Sequence, residues 1–259
     1  MNWSEPLNLY CERLGPGLWA EPLNAVSNAA FFAAAAAAFL HWRKAGGRDT
    51  PALLLILVTV AIGIGSTIFH TVATRGAILL DIIPIAIFIA GYLVLAWRRY
   101  LKFGLASAIA ALAAFEIISF ALPSVTPPGF LNRSVPYLPA LLMLIGLAGM
   151  VQGTAAQVGH SRLAANTNRS RVNPRSERKN SPEATTSEWL WIAAGLFTAS
   201  FFLRSIDIAV CRFFPFGTHF IWHCLNAAVL YVLLRAAIEW PHRGAPGRVS
   251  RSKKWRRNR

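Results

Sequence analysis

The chain has 259 residues, 55% of them hydrophobic and only 14% charged, with a mean hydropathy of +0.44. A soluble domain is usually nearer a quarter charged, so this composition excludes an ordinary soluble enzyme and reads as a polytopic membrane protein. The net charge of +15 predicts no nucleic-acid partner, because the basic residues lie in short loops and the tail rather than on a soluble module.

Residues 1–19 form an amphiphilic lead-in containing Tyr10, Cys11, Glu12 and Trp19. Glu5, Glu12 and Arg13 interrupt it, and it lacks a basic start followed by an apolar core, so no cleavable signal peptide is expected. Apolar segments follow at 22–42, 51–70, 76–97, 103–122, 136–158, 188–207 and 217–240. Each is near the roughly 20 residues that a helix needs to cross the hydrocarbon core, and each is apolar nearly all round. The expected fold is an all-α bundle of seven transmembrane helices spanning residues 1–242, followed by a basic tail at 243–259. Residues 159–187, rich in Asn, Ser, Arg and Pro, are expected to form a mobile cytoplasmic loop.

Lysine and arginine set the orientation. Arg43, Lys44 and Arg48 follow segment one; Arg98, Arg99 and Lys102 follow segment three; a run from Arg162 to Lys179 follows segment five; the tail is basic again. These loops alternate with less basic ones, which places the N-terminus outside and the C-terminus in the cytoplasm. The tail could also meet anionic headgroups. Alanine- and arginine-rich usage points to a bacterial plasma membrane.

This topology sorts the polar residues by depth. His41, His160 and His242 fall at cytoplasmic loops or helix ends. The other three histidines, His70, His219 and His223, fall in the outer half of the membrane, together with Ser66 and Asp81. Ser66 and His70 are four apart, as are His219 and His223, so each pair shares one helix face. Three neutral imidazoles with an open position form a recurrent catalytic zinc set. Asp81 could move the proton of a zinc-activated water or orient a ligating histidine. Ser66 could hydrogen-bond an oxyanion or the metal-bound water. Plainer roles compete: each histidine bonded to a neighbouring helix, Asp81 at an interfacial helix start, Ser66 packing beside Gly63 and Gly65.

Glu12 and Glu21, with Asn8, Asn24 and Asn28, form a second acidic group whose oxygens would suit calcium. Spacing alone favours a solvated outer cap. Arg204 and Asp207, three apart, are expected to form a local ion pair. Cys11 and Cys211 both fall on the outer side, where a disulfide is permitted. Cys224 is expected to pack as a small apolar residue, and Glu116 has no assigned role.

Taken together, Tyr10-Cys11-Glu12, Trp19 to Asn28, Gly65 to His70, Leu80 to Pro84, Asp207 to Cys211 and His219 to His223 resemble the alkaline ceramidase family. Their order and approximate spacing cover nearly the whole chain apart from the two interior loops and the tail. The resemblance implies a seven-helix zinc amidohydrolase that splits ceramide into a sphingoid base and a fatty acid. It implies zinc ligands at His70, His219 and His223, catalytic helpers at Ser66 and Asp81, and a disulfide between Cys11 and Cys211. It also implies a calcium site at Glu12 and Glu21, with Tyr10 contributing its carbonyl. The chain departs from the family there: an aspartate expected just before Tyr10-Cys11-Glu12 is absent, and Asn8 and Leu9 stand in its place. The partner is then a lipid substrate drawn from the bilayer, with the site towards the outer face; the sequence leaves the oligomeric state open. The competing expectations are a hydrolase of another ester or N-acyl lipid, and a seven-helix receptor or transporter without catalysis.

Overall fold

A computed structural model describes residues 2–15, 17–165 and 182–240. Among them the chain is helical, with no strand and only a single bridge between Pro6 and Thr74. The helices are α1 (Pro22–Ser27), α2 (Ala29–Lys44), α3 (Thr50–Val72), α4 (Ala77–Arg99), α5 (Leu105–Ser124), α6 (Leu138–Ala165), α7 (Pro182–Val210) and α8 (His219–Glu239). Seven spans, with α1 and α2 together making the first, are long and apolar enough to cross a membrane. The protein is a multi-pass membrane protein by that measure.

Two boundaries differ from the sequence expectation. The first span is broken at Asn28, whose side-chain amide donates to Asn24 O and Ala25 O and so competes with the helical ladder. The basic connection after the fifth span is shorter than 159–187: α6 runs on to Ala165 and α7 begins at Pro182. Polar side chains do not end a helix that has left the hydrocarbon core. The remainder of that connection, 166–181, and the tail from 241 lie outside the described residues.

The spans close into a ring. Each packs on its chain neighbours, and α8 returns against α2 and α3. Water is no driving force between helices inside a bilayer, so close van der Waals approach must hold them. The buried small residues Ala38, Ala52, Ala96, Ala148, Ala193 and Ala237 permit it. α5 is peripheral, with Ala108 its sole buried residue and Ile109, Ile117 and Phe120 exposed. Glu116 is exposed on this same helix, and Cys224 is exposed on α8 rather than packed inside.

The two ends of the bundle are built differently. At one end Arg99 grips Asp49 through two hydrogen bonds of 2.7 and 2.8 Å and donates to Ala237 O. Asp49 also caps α3 through Ala52 N. At the other end the lead-in straps across the turn from α3 to α4. Leu7 N donates to Ala73 O, Arg75 N to Glu5 O and Gly76 N to Trp3 O. Tyr10, Phe69, Ala73 and Ala77 form a small apolar cluster beneath the strap. The strapped end carries the polar residues that the sequence singles out.

Candidate metal centre

Two helices deliver the histidines. His70 is in the last turn of α3, which Ala73 terminates in a left-handed conformation at φ 44°. His219 opens α8 and His223 follows one turn later. The start of α8 is fixed by Asp207 on α7: its Oδ1 accepts from Thr218 N and His219 N at 2.7 and 3.0 Å, and its Oδ2 accepts from Cys11 N at 3.0 Å. Gly217, at φ 64°, precedes this start; a Cβ there would run into Asp207 and Cys11. Asp207 is therefore a helix cap and not an ion-pair partner. Among the described residues no Arg204–Asp207 ion pair exists, because the Asp207 carboxylate is committed to three backbone N–H groups. Arg204 instead lies against the rings of Tyr137, Trp222 and Tyr10, at 5.0, 5.5 and 5.8 Å. The disulfide Cys11–Cys211 ties the same lead-in to the end of α7, with Cα atoms 5.4 Å apart.

The three imidazoles converge. Their ring centroids are 4.5 to 5.1 Å apart, and one nitrogen of each lies within 4.8 Å of the others. All three are fully buried, and His70 Nε2, His223 Nε2 and both nitrogens of His219 have no protein partner. Such groups are costly in a dry interior unless something else satisfies them.

The nitrogens that do have partners explain which ones are left. His70 Nδ1 donates to Glu21 Oε2 at 2.6 Å. Ser27 Oγ donates to Asn24 O at 2.8 Å, so it accepts from His223 Nδ1 at 2.7 Å. Both rings are thereby held with the proton on Nδ1 and a bare Nε2 aimed inward, the arrangement that metal-binding histidines adopt. His219 is fixed by stacking, between Tyr10 at 3.7 Å and Trp222 at 5.0 Å. The donor set fits a zinc ion: three buried, fixed imidazoles whose unpartnered nitrogens converge.

Ser66 and Asp81 meet beside this cluster because α3 and α4 approach unusually closely. Pro84 has no N–H, so the Leu80 carbonyl loses its helical donor. Gly65 packs against that carbonyl, and a Cβ at Gly65 would collide with it. Ser66 Oγ and Asp81 Oδ1 are buried without a hydrogen bond of good geometry. The Asp81 carboxylate nonetheless lies within electrostatic reach of His70 and of the Ser66 hydroxyl.

The acidic pair of the lead-in is buried, not solvated: Glu12 is 6% exposed and Glu21 1%. Glu12 caps α1 from outside it, accepting from Leu23 N and Asn24 N at 2.6 and 2.9 Å. Burial pushes its carboxyl up despite those donors. Burial alone would also raise Glu21, but hydrogen bonds from His70, Arg13 and Asn24 outweigh it and hold Glu21 below the usual carboxylate range. Arg13, 4% exposed, forms the ion pair with Glu21. A calcium ion does not fit this cluster as built. A guanidinium, an imidazole and an amide already engage Glu21, and backbone N–H groups engage Glu12.

A narrow apolar cleft of about 80 Å³ lies between the helices next to the cluster. Trp222 and Tyr137 stand at its upper end, Phe31 and Phe88 along it, and Leu147 and Leu233 deeper. Phe31 touches the histidine layer, 6.2 Å from His223. Trp222 Nε1 is buried there without an acceptor.

Sequence reasoning misses Ser27, Arg13 and the capping role of Asp207. Ser27 lies in the run from Trp19 to Asn28, but nothing in a linear pattern shows which histidine it meets. Compared with known proteins, the chain matches the family model described as Ceramidase over residues 11–257, nearly its whole length. No curated protein matches it.

Proposed function

Since the chain belongs to the ceramidase family, and is thus a membrane hydrolase of amide carbon–nitrogen bonds, we propose that it splits ceramide or a related N-acyl sphingolipid at a zinc ion held by His70, His219 and His223. The observation that carries this reading is the set of bare, buried Nε2 atoms whose rings Glu21 and Ser27 orient. Zinc bound there would polarise the amide carbonyl and lower the pKa of a water beside it towards about 7.

The chain's own residues do the rest. The apolar cleft takes an acyl or sphingoid chain and leaves the amide at the histidine layer. Asp81 accepts the proton of the attacking water and passes it to the leaving amine nitrogen. Ser66 donates a hydrogen bond to the carbonyl oxygen as negative charge builds on it. Trp222 Nε1 offers a second donor at the mouth of the cleft. The products are a fatty acid and a free sphingoid base.

The alternation of basic and less basic loops supports an external N-terminus, with the strapped end and its metal centre facing the outer leaflet of a bacterial plasma membrane. Substrate then enters laterally from that leaflet. The test is mass spectrometry after incubating the purified, zinc-loaded protein with a mixed panel of N-acyl lipids. Ceramides should disappear with equal release of sphingoid base and fatty acid. Loss of other N-acyl lipids with ceramides untouched would overturn the substrate assignment.

A further inference from the structure

Arg13 is a buried charge, 4% exposed, beside the metal centre. Its guanidinium reaches three oxygens from different parts of the chain. Nε donates to Glu21 Oε1, Nη1 to Gly15 O at 3.0 Å and Nη2 to His70 O at 3.5 Å. One carboxylate and two carbonyl oxygens are the ligand types that a hard cation takes. In this chain a side chain fills that cradle. The guanidinium carries the positive charge that Glu21 needs, and its planar fork spans several acceptors that a point charge could not.

The consequence reaches the histidines. Glu21 has two jobs, one oxygen for each: Oε1 faces Arg13, and Oε2 accepts from His70 Nδ1 and from Asn24 Nδ2 at 3.0 Å. Arg13 also touches the backbone of His70 itself. We propose that Arg13 is a tethered counter-ion standing in for calcium, a positioning residue that holds Glu21 against His70 and makes the centre independent of a second metal. The link to zinc rests on the reading of His70 as a ligand; the independence from calcium does not.

The test uses the full chain, zinc-loaded in calcium-free detergent. The wild-type unfolding midpoint is followed against added CaCl2 up to millimolar concentrations, with MgCl2 as control, and zinc content is measured after dialysis. Wild type should show no calcium-dependent shift. Arg13→Met should lose zinc at least tenfold more readily and should gain a saturable rise in midpoint with CaCl2 but not MgCl2. A saturable calcium shift in wild type overturns the proposal, as does an Arg13→Met variant that keeps its zinc and ignores calcium. A variant that loses zinc only, without the calcium response, also overturns the stand-in role. If Arg13→Met does not fold, Arg13→Lys decides. Its ammonium retains the charge, so zinc retention and calcium insensitivity are expected, and a calcium shift there overturns the idea. Because the calcium titration never refers to zinc, a wrong ligand assignment and a wrong role for Arg13 give different results.

Discussion

Replacing Glu21 by glutamine separates charge from shape at the group that orients His70. The side chain keeps its volume, but one oxygen becomes an NH2 donor. If that amide faces His70, it meets the Nδ1 proton, and the ring must move its proton to Nε2, the atom that should hold the metal. If it turns the other way, it faces the Arg13 guanidinium, leaving a buried cation without its carboxylate. Loss of such an outer partner typically weakens metal binding 10- to 100-fold, about 1.4–2.8 kcal/mol. Ser27→Ala is the natural comparison. It removes a neutral hydrogen bond to His223 Nδ1, worth about 1 kcal/mol or roughly fivefold. Competitive zinc titration with a chromophoric chelator reads both variants on one scale. The expected order is wild type tightest, Ser27→Ala weaker and Glu21→Gln weakest. Wild-type affinity in Glu21→Gln, or a larger loss in Ser27→Ala, would refute the claim that a charged partner fixes His70.

Three further substitutions probe the rest of the site. Asp81→Asn should reduce ceramide turnover at least 100-fold while zinc content stays at the wild-type level, as elemental analysis and a fluorescent ceramide assay together would show. Gly65→Ala puts a methyl group onto the Leu80 carbonyl; overpacking of this kind costs about 1–3 kcal/mol, so both the unfolding midpoint and turnover should fall. Leu233→Trp fills the cleft ten residues beyond His223, about 15 Å along α8 by helical rise. It should lower turnover of long-chain ceramides while sparing short-chain ones, measured as a ratio across acyl lengths.

Much of this was legible in the sequence because membrane helices advertise themselves. Runs of about 20 apolar residues have few folds open to them, and the i, i+4 spacings of Ser66/His70 and His219/His223 survive as shared faces in the structure. What was not legible depends on contacts between distant residues. Arg204 and Asp207 look like a local pair, yet Asp207 spends its oxygens on Cys11, Thr218 and His219, because a buried helix start needs acceptors, and the buried Arg204 guanidinium lies against aromatic rings instead. Glu12 and Glu21 look like a solvated cap, since a linear reading cannot show that Arg13 folds back among them. Asn28 reads as part of a continuous span, because its effect comes from where its amide turns.

The central claim is that three histidines hold a catalytic zinc. The most direct measurement is elemental analysis of the purified wild type and His223→Ala proteins alongside ceramide turnover of the same samples. Wild type should carry a single zinc ion per chain and release sphingoid base. His223→Ala should insert in the membrane, lose the zinc and lose turnover. Full turnover by wild type without zinc, or by His223→Ala, would contradict the claim.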